Sequence, residues 1–195
     1  MDRRSLLLPA FAFVLGLVAL AGAAYLTFAP QREETRASAV GGPFTLTAST
    51  GERVNNRQFE GAPMLVFFGF TNCPDICPTK LLELSEMFRA AGDKAGRARA
   101  LFITVDPERD TPEVLKSYLS SFDPRIVGLT GTRDEIDAVI KTYRAFSRRV
   151  PTSNGGYTMD HTAIVYLVDK RGRFVGAFSL ERPPQYAAQE LLRHL

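Results

Sequence analysis

Apolar and polar positions divide most of the chain into short strands and helices. Two nearly continuous apolar runs, MLVFFGF at 64–70 and ALFITV at 100–105, predict strands that are buried on both faces of a sheet. Residues 44–47 alternate between apolar and polar and predict a strand with one exposed face. Further strands are predicted at 126–129, 163–168 and 174–178, and residues 169–172 have the turn chemistry of a hairpin.

Helices are predicted between these strands. Residues 79–91 carry apolar side chains on one side. Thr111 and Thr132 are typical N-cap residues, and each is followed by acidic residues in the first turn. They predict helices through about residue 120 and over about a dozen residues from 132, with a last helix at 183–195. Strands that alternate with helices before a closing hairpin predict an α/β fold with a central mixed sheet flanked by helices.

The N-terminal region predicts a membrane anchor. Residues 6–28 contain no charged residue and are long enough to cross a bilayer as one helix. Arg3 and Arg4 precede the run, which favours residues 1–5 in the cytoplasm, a tether at 29–42 and an exported domain at 43–195. The alternative is a signal peptide cleaved near 21–23, although the apolar run continues past that site. Without a long Arg- and Ser-rich transit peptide, we expect a single-pass protein of a bacterial inner membrane, with its domain in the periplasm.

Composition restricts the possible chemistry. The formal net charge of +3 comes without a dense run of Lys or Arg in the folded part, so we expect no nucleic-acid partner. The chain has only two cysteines, Cys73 and Cys77, and two histidines, His161 and His194. A metal site that uses sulfur and imidazole therefore has few possible ligand sets.

The two cysteines lie between the first buried strand and the first long helix, where ligand sites of α/β sheets gather. Four residues apart on a helical turn, their sulfurs can face one metal ion or close into a disulfide between Cys73 and Cys77. A helix N-terminus also favours the thiolate and is expected to lower a cysteine pKa. A purely structural disulfide is disfavoured, because so short a loop constrains the unfolded chain weakly.

His161 is predicted in a loop just before the 163–168 strand, beside the cysteine loop in a thioredoxin-like sheet. A histidine there is more often an ordinary loop residue, but the nearby pair of thiols makes it a candidate ligand. Two thiolates and one imidazole suit Cu(I) and can hold Cu(II), whereas a closed zinc site takes a fourth protein ligand. His194 is interpreted as a solvated residue at a helix end.

Three separated motifs, LVFFGFTNCPDICPTKL, VDPERDTPEVLKSYLSSFDPRIVGLTG and MDHTAIVYLVD, occur in this order. With them the chain resembles the Sco/SenC family of copper-handling proteins for cytochrome c oxidase assembly, from about Gly42 to the end. The resemblance implies a thioredoxin-like fold and a copper ion held by Cys73, Cys77 and His161. It also implies help in loading the binuclear copper centre, with the copper-bearing oxidase subunit or another copper chaperone as partner.

A different function remains open at this point, namely a thiol-disulfide oxidoreductase that reduces cysteines of the copper-site client with Cys73 and Cys77 as its redox pair. Three residues separate the cysteines, instead of the two usual in thioredoxin-type enzymes, and 158–169 lacks the proline that such enzymes carry there. A peroxiredoxin-like peroxidase is weaker, since no Arg is evident around Cys73.

Acidic and basic residues near the motifs have no assigned role. Asp106, Arg109 and Asp110 are interpreted as turn and cap residues, with roles behind the metal ligands or in partner binding as the alternative. Asp75 and Asp160 flank the candidate ligands and can tune them.

Overall fold

The computed structural model describes residues 15–18, 20–21 and 40–195. Residues 15–18 and 20–21 are helical. Among the described residues, no helix has the length and apolar character needed to cross a membrane. The predicted anchor at 6–28 and the predicted tether at 29–42 fall mostly outside these residues.

Residues 40–195 contain strands in two sheets. Their bounds are β1 Thr45–Ala48, β2 Arg53–Asn55, β3 Met64–Gly69, β4 Arg99–Thr104, β5 Ile126–Thr130, β6 Ser147–Pro151, β7 Tyr157–His161, β8 Val165–Val168 and β9 Phe174–Phe178. The larger sheet has the order β2-β1-β5-β4-β3-β8-β9, and β6 pairs with β7 in a separate two-stranded sheet. Strands β3, β4 and β5 are parallel, whereas β8 pairs antiparallel with β3, which confirms the predicted mixed sheet.

Helices flank the larger sheet. They are α1 Ile76–Ala91, α2 Pro112–Leu119, α3 Arg133–Thr142 and α4 Pro184–Leu192, with 3-10 turns at Asn56–Phe59 and Gly92–Ala95. The predicted caps are confirmed, because the hydroxyls of Thr111 and Thr132 accept backbone N–H bonds from Val114 and Glu135. Helix α1 begins three residues before its predicted start. Pro78 fits there, because N–H groups in a first turn have no partner within the helix.

Strand β3 is the centre of the core, and all six of its residues are buried. It lies between β4 and β8 in the sheet, and because side chains alternate between the two faces, the burial of all six residues shows that both faces are covered. Each large apolar side chain buried in this way contributes roughly 2 kcal/mol relative to exposure. The strand therefore provides a fixed base for the loop that follows Gly69.

The β6–β7 hairpin was not predicted from the sequence. Strand β6 reads SRRVP, with two arginines, a terminal proline and no apolar alternation that would indicate a strand. Its pairing places Ser147 opposite His161 and Pro151 opposite Tyr157. The predicted loop position of His161 is therefore wrong, since this residue ends strand β7.

Replacing Thr132 with Ala tests the start of α3. Thr132 and Glu135 form a reciprocal capping pair, so we expect Thr132→Ala to lower the free energy of unfolding by about 1 kcal/mol, measured by urea denaturation. Thr142→Ala is the control within the same helix, because the Thr142 hydroxyl donates only to the Ala138 carbonyl inside α3. Equal losses in the two variants would contradict the capping role.

Candidate metal centre

The cysteine loop connects the end of β3 to the first turn of α1. The backbone N–H of Cys73 donates to the carbonyl of Phe70 at 3.2 Å, which closes the loop behind the strand. The backbone N–H of Cys77 donates to the Cys73 sulfur at 3.4 Å. Both cysteines are free thiols, with Cys73 partly exposed and Cys77 fully buried. The Cys73 sulfur in the loop therefore lies against the first turn of α1, which carries Cys77.

His161 approaches this pair from the hairpin. Its Nε2 lies 3.7 Å from the Cys77 sulfur, and its Nδ1 lies 3.0 Å from the Thr162 carbonyl oxygen. Because a carbonyl oxygen only accepts, Nδ1 carries the proton and Nε2 directs its lone pair toward the sulfur. The rings of Phe67 and Phe70 lie edge-on to the imidazole, with centroids 6.4 and 5.7 Å away. The packing thus holds the ring in a ligating orientation.

The three candidate ligand atoms lie within 4.8 Å of one another, so the structure brings Cys73, Cys77 and His161 together. Two sulfurs with one imidazole are a soft ligand set. His194 is elsewhere, with Nε2 3.6 Å from Glu190 Oε1.

A cavity of about 260 Å³ opens onto this centre from one side. Its lining consists of Cys73, Pro74, Asp75, Ile76, Met159, Asp160, His161 and Ala163. Cys77 lies behind these residues. A metal ion or a partner's side chain that enters through this cavity therefore meets Cys73 and His161 first, whereas Cys77 is not part of the lining.

Burial governs the acidity of the inner sulfur. Burial raises the pKa of the Cys77 thiol, a neighbouring Cys73 raises it further, and a backbone hydrogen bond at Phe70 opposes the shift only in part. The lowered pKa predicted for a cysteine at a helix N-terminus is therefore wrong for Cys77, because loss of hydration on burial disfavours its thiolate. A metal ion that binds this sulfur must displace its proton.

The DPERDTP motif forms the turn that the sequence indicated, since the N–H groups of Arg109 and Asp110 donate to the carbonyl of Asp106. Its two aspartates are nevertheless fully buried, which a simple turn does not require. Burial raises the pKa of the Asp110 carboxyl, and hydrogen bonds from Thr104 and Thr71 oppose that shift. Asp106 forms an ion pair with Arg109. The sequence did not predict that both carboxylates are buried and hydrogen-bonded.

Three residues beside the centre had no role in the sequence analysis. Thr71, Thr104 and Tyr157 all donate side-chain hydrogen bonds to the buried aspartates. Thr71 lies in the first motif, and Thr104 and Tyr157 lie just before the other two, but hydroxyl residues are too common in sequences to indicate a hydrogen-bond partner. Of the two flanking acids, Asp160 lies 3.3 Å from Arg148, and Asp75 lines the cavity.

A buried parallel strand, a cysteine pair at the following helix and a histidine on a late hairpin define an α/β protein with two sulfurs and one imidazole that could hold a metal ion. The chain belongs to the SCO1/SenC family, whose sequence model matches residues 32–195. The family assignment and the thioredoxin-like fold predicted from the motifs are thereby confirmed.

Curated relatives of the chain come from mitochondria and bacteria. The human mitochondrial SCO1 homolog is 38% identical over 159 residues, which is 80% of this chain and 53% of the human protein. The SCO2-like protein RP587 of Rickettsia prowazekii is 41% identical over 144 residues, covering 73% of this chain and 70% of the relative. The match thus spans about half the length of the human protein.

Solved structures show the same fold. Bradyrhizobium japonicum ScoI with copper bound matches with a TM-score of 0.78 and 54% identity, over 80% of this chain and 99% of that one. Yeast Sco1 with copper bound matches with a TM-score of 0.72 and 39% identity, over 80% and 87%. Copper in these relatives agrees with the soft ligand set found here.

Gly69 makes room for the inner sulfur. A Cβ at this position would lie 2.9 Å from the Cys77 sulfur and 2.5 Å from Cε2 of Phe102. We expect Gly69→Ala to lower the free energy of unfolding by about 1–3 kcal/mol through overpacking, measured by urea denaturation. We also expect the Cys77 thiol to react faster with a thiol reagent, because its sulfur must shift.

Gly176→Ala in β9 is the matched control, since a Cβ there meets no atom of the described residues within 4 Å. Its stability and thiol reactivity should remain close to those of the unmodified protein. A Gly69→Ala variant that resembles this control in both measurements would show that Gly69 does not determine the position of the sulfur.

Proposed function

We propose that this protein is a copper metallochaperone that binds one copper ion through Cys73, Cys77 and His161 and assists assembly of the binuclear copper centre of cytochrome c oxidase. The observation that carries the proposal is the meeting of three soft ligand atoms within 4.8 Å. Thiolates and imidazole favour Cu(I) and also accept Cu(II), so both oxidation states fit this ligand set.

The relatives support this choice of metal. Structures of the ScoI protein of Bradyrhizobium japonicum and of yeast Sco1 have copper bound. We propose as partner the copper-bearing subunit of the oxidase, or another copper chaperone.

The geometry suits a site that transfers its copper ion to a partner protein. Three protein ligands leave copper able to accept another ligand, and the cavity beside Cys73 and His161 admits a partner's sulfur or imidazole. Copper can then move by stepwise ligand exchange, in which each new bond replaces one from the chaperone. Because the Cys77 sulfur is buried, it would be the last of the three ligands to release the copper ion.

We also propose that residues 6–28 anchor the protein in a bacterial inner membrane, with the copper domain in the periplasm. The uncharged run and the preceding Arg3 and Arg4 support this arrangement. Such an anchor would keep the metal centre close to a membrane-embedded oxidase. Extraction of the full chain from membranes only by detergent, and not by high salt, would support it.

Replacing the imidazole tests the three-ligand site. We expect His161→Ala to lower the copper affinity by more than about 100-fold, because loss of a ligand exceeds the 10–100-fold effect of outer partners. Anaerobic Cu(I) titration against a competing chelator gives the affinity. His194→Ala is the matched control and should bind like the unmodified protein. Equal affinities in the two variants would exclude His161 as a ligand.

Thiol-disulfide exchange is the second candidate function, and the position of the two sulfurs favours it. Cys73 is partly exposed and adjacent to the buried Cys77, as a redox pair requires. A disulfide between them would remove both thiolate ligands. A single molecule therefore cannot bind copper through both sulfurs and carry the disulfide at the same time.

We expect the oxidised protein to bind copper at least about 100-fold more weakly than the reduced protein, because both thiolates are lost. Copper titration before and after treatment with a mild oxidant, followed by re-reduction, measures the difference. Full affinity in the oxidised form would contradict the assignment of the sulfurs as ligands. Rapid turnover of unrelated disulfide substrates would instead favour the oxidoreductase as the main activity.

A further inference from the structure

Residues 104–110, here called the anchor segment, contact both chain segments that carry the candidate ligands. Asp110 contacts the cysteine loop, since the N–H and hydroxyl of Thr71 donate to its carboxylate at 3.0 and 2.6 Å. The Thr104 hydroxyl donates to the same carboxylate at 2.6 Å. Asp110 is fully buried, so these three donors replace the water that the carboxylate would otherwise bind.

The other contacts of the anchor segment hold the hairpin. The Tyr157 hydroxyl donates to Asp106 Oδ1 at 3.0 Å, and Arg109 Nη1 donates to the Tyr157 carbonyl at 3.1 Å. The guanidinium carbons of Arg109 and Arg149 lie 3.9 and 4.0 Å from the centroid of the Tyr157 ring. Two cations cannot share one face at that distance, so the ring lies between them. Glu108 pairs with Arg149.

Strand β7 connects this contact to the metal centre. Tyr157, Met159 and His161 are alternate residues and therefore project from one face of the strand. A rise of about 3.3 Å per residue places His161 about 13 Å along the strand from Tyr157. Strands β6 and β7 form their own sheet, so side-chain contacts such as those of Tyr157 attach the hairpin to the larger sheet.

We propose that the anchor segment positions both parts of the copper site. Asp110 holds the cysteine loop in place through Thr71. Asp106 and Arg109 hold the hairpin, and with it His161, in place through Tyr157. This inference rests on the proposed function, because it assigns positioning residues to that same site. None of these side chains has to touch the metal. Buried hydrogen bonds of this kind fix the orientation of ligands and can change metal affinity about 10–100-fold.

Two conservative variants test the contact to the cysteine loop and the contact to the hairpin separately. Tyr157→Phe removes only the hydroxyl bond to Asp106 and keeps the ring between its two cations. Thr71→Val removes only the hydroxyl bond to Asp110 and keeps the shape and the backbone N–H. The controls are Tyr186→Phe, on an exposed face of α4, and Thr45→Val, at an exposed position of β1. Thermal unfolding of all four variants verifies that they fold.

The measurements report on each ligand separately. In the Cu(II) form, nitrogen hyperfine coupling reports on His161, and the sulfur-to-copper absorption band reports on the cysteines. In the metal-free protein, nitrogen NMR of the His161 ring and the rate of Cys73–Cys77 disulfide formation report on the same two sides without copper.

We expect Tyr157→Phe to weaken copper binding about 10-fold and to alter the His161 signals, with disulfide formation unchanged. Thr71→Val should alter the sulfur band and the rate of disulfide formation, with the His161 ring signals unchanged. In this crossed pattern each variant changes the signals of one kind of ligand and leaves the other unchanged. A general loss of stability would not produce it. The two controls should match the unmodified protein in every measurement.

The inference is overturned if both variants match their controls, or if each affects both ligands equally, while the unmodified protein binds copper. If the unmodified protein does not bind copper through these residues, the proposed function fails. The ring NMR and disulfide rate of the metal-free variants then still decide the inference, with the crossed pattern supporting it and unchanged signals overturning it.

Discussion

The contact between the Cys77 sulfur and the His161 nitrogen, at 3.7 Å, is the constraint on which the functional arrangement depends. It joins residues 84 positions apart, one on a helix that follows the central strand and one on a separate hairpin. The sulfur position follows from the buried core, because all residues of β3 are buried and α1 packs its apolar side against the core. The imidazole position depends on how the hairpin docks. A metal ion bound to both would cross-link the two parts and stabilise the docked form in proportion to its concentration over its Kd.

Burial gives the two sulfurs different tasks. The Cys77 sulfur has no access to water, and burial raises the pKa of its thiol, so only a cation that binds thiolate strongly can displace the proton. Cys73 is partly exposed and lines the cavity, where a partner's ligand can approach it. A site with one inner and one outer sulfur therefore binds a soft ion selectively and still allows exchange at its outer side. Two fully exposed thiols would lose that selectivity, and two buried thiols would prevent transfer.

The sequence predicted the parts of the fold that local patterns encode. Apolar runs identified β3 and β4, cap chemistry identified the starts of α2 and α3, and the scarcity of Cys and His limited the ligand set. The hairpin that carries His161 escaped prediction, because SRRVP has no strand periodicity and its stability comes from contacts with the rest of the fold. Asp110 and Asp106 were interpreted as turn residues, because a turn accounts for them locally, and a role behind the metal ligands was only the alternative. Their partners Thr71 and Tyr157 lie 39 and 51 positions away.

The contacts of the hairpin differ in strength along its length. The pair between Arg149 and Glu108 is exposed to water and contributes little, because solvent and salt screen such charges. The bond between Tyr157 and Asp106 is part-buried, because the carboxylate is inaccessible to water although the tyrosine is not, so it is less screened than the exposed pair. Strand β7 is therefore held at both ends, at Tyr157 by the buried Asp106 and beyond His161 by strand β8, whose Val165 pairs with Phe67 of the central strand. His161 also lines the cavity, so a partner's ligand can approach it there. Release of the ion in the proposed function then needs ligand exchange on the cavity side and no displacement of the hairpin.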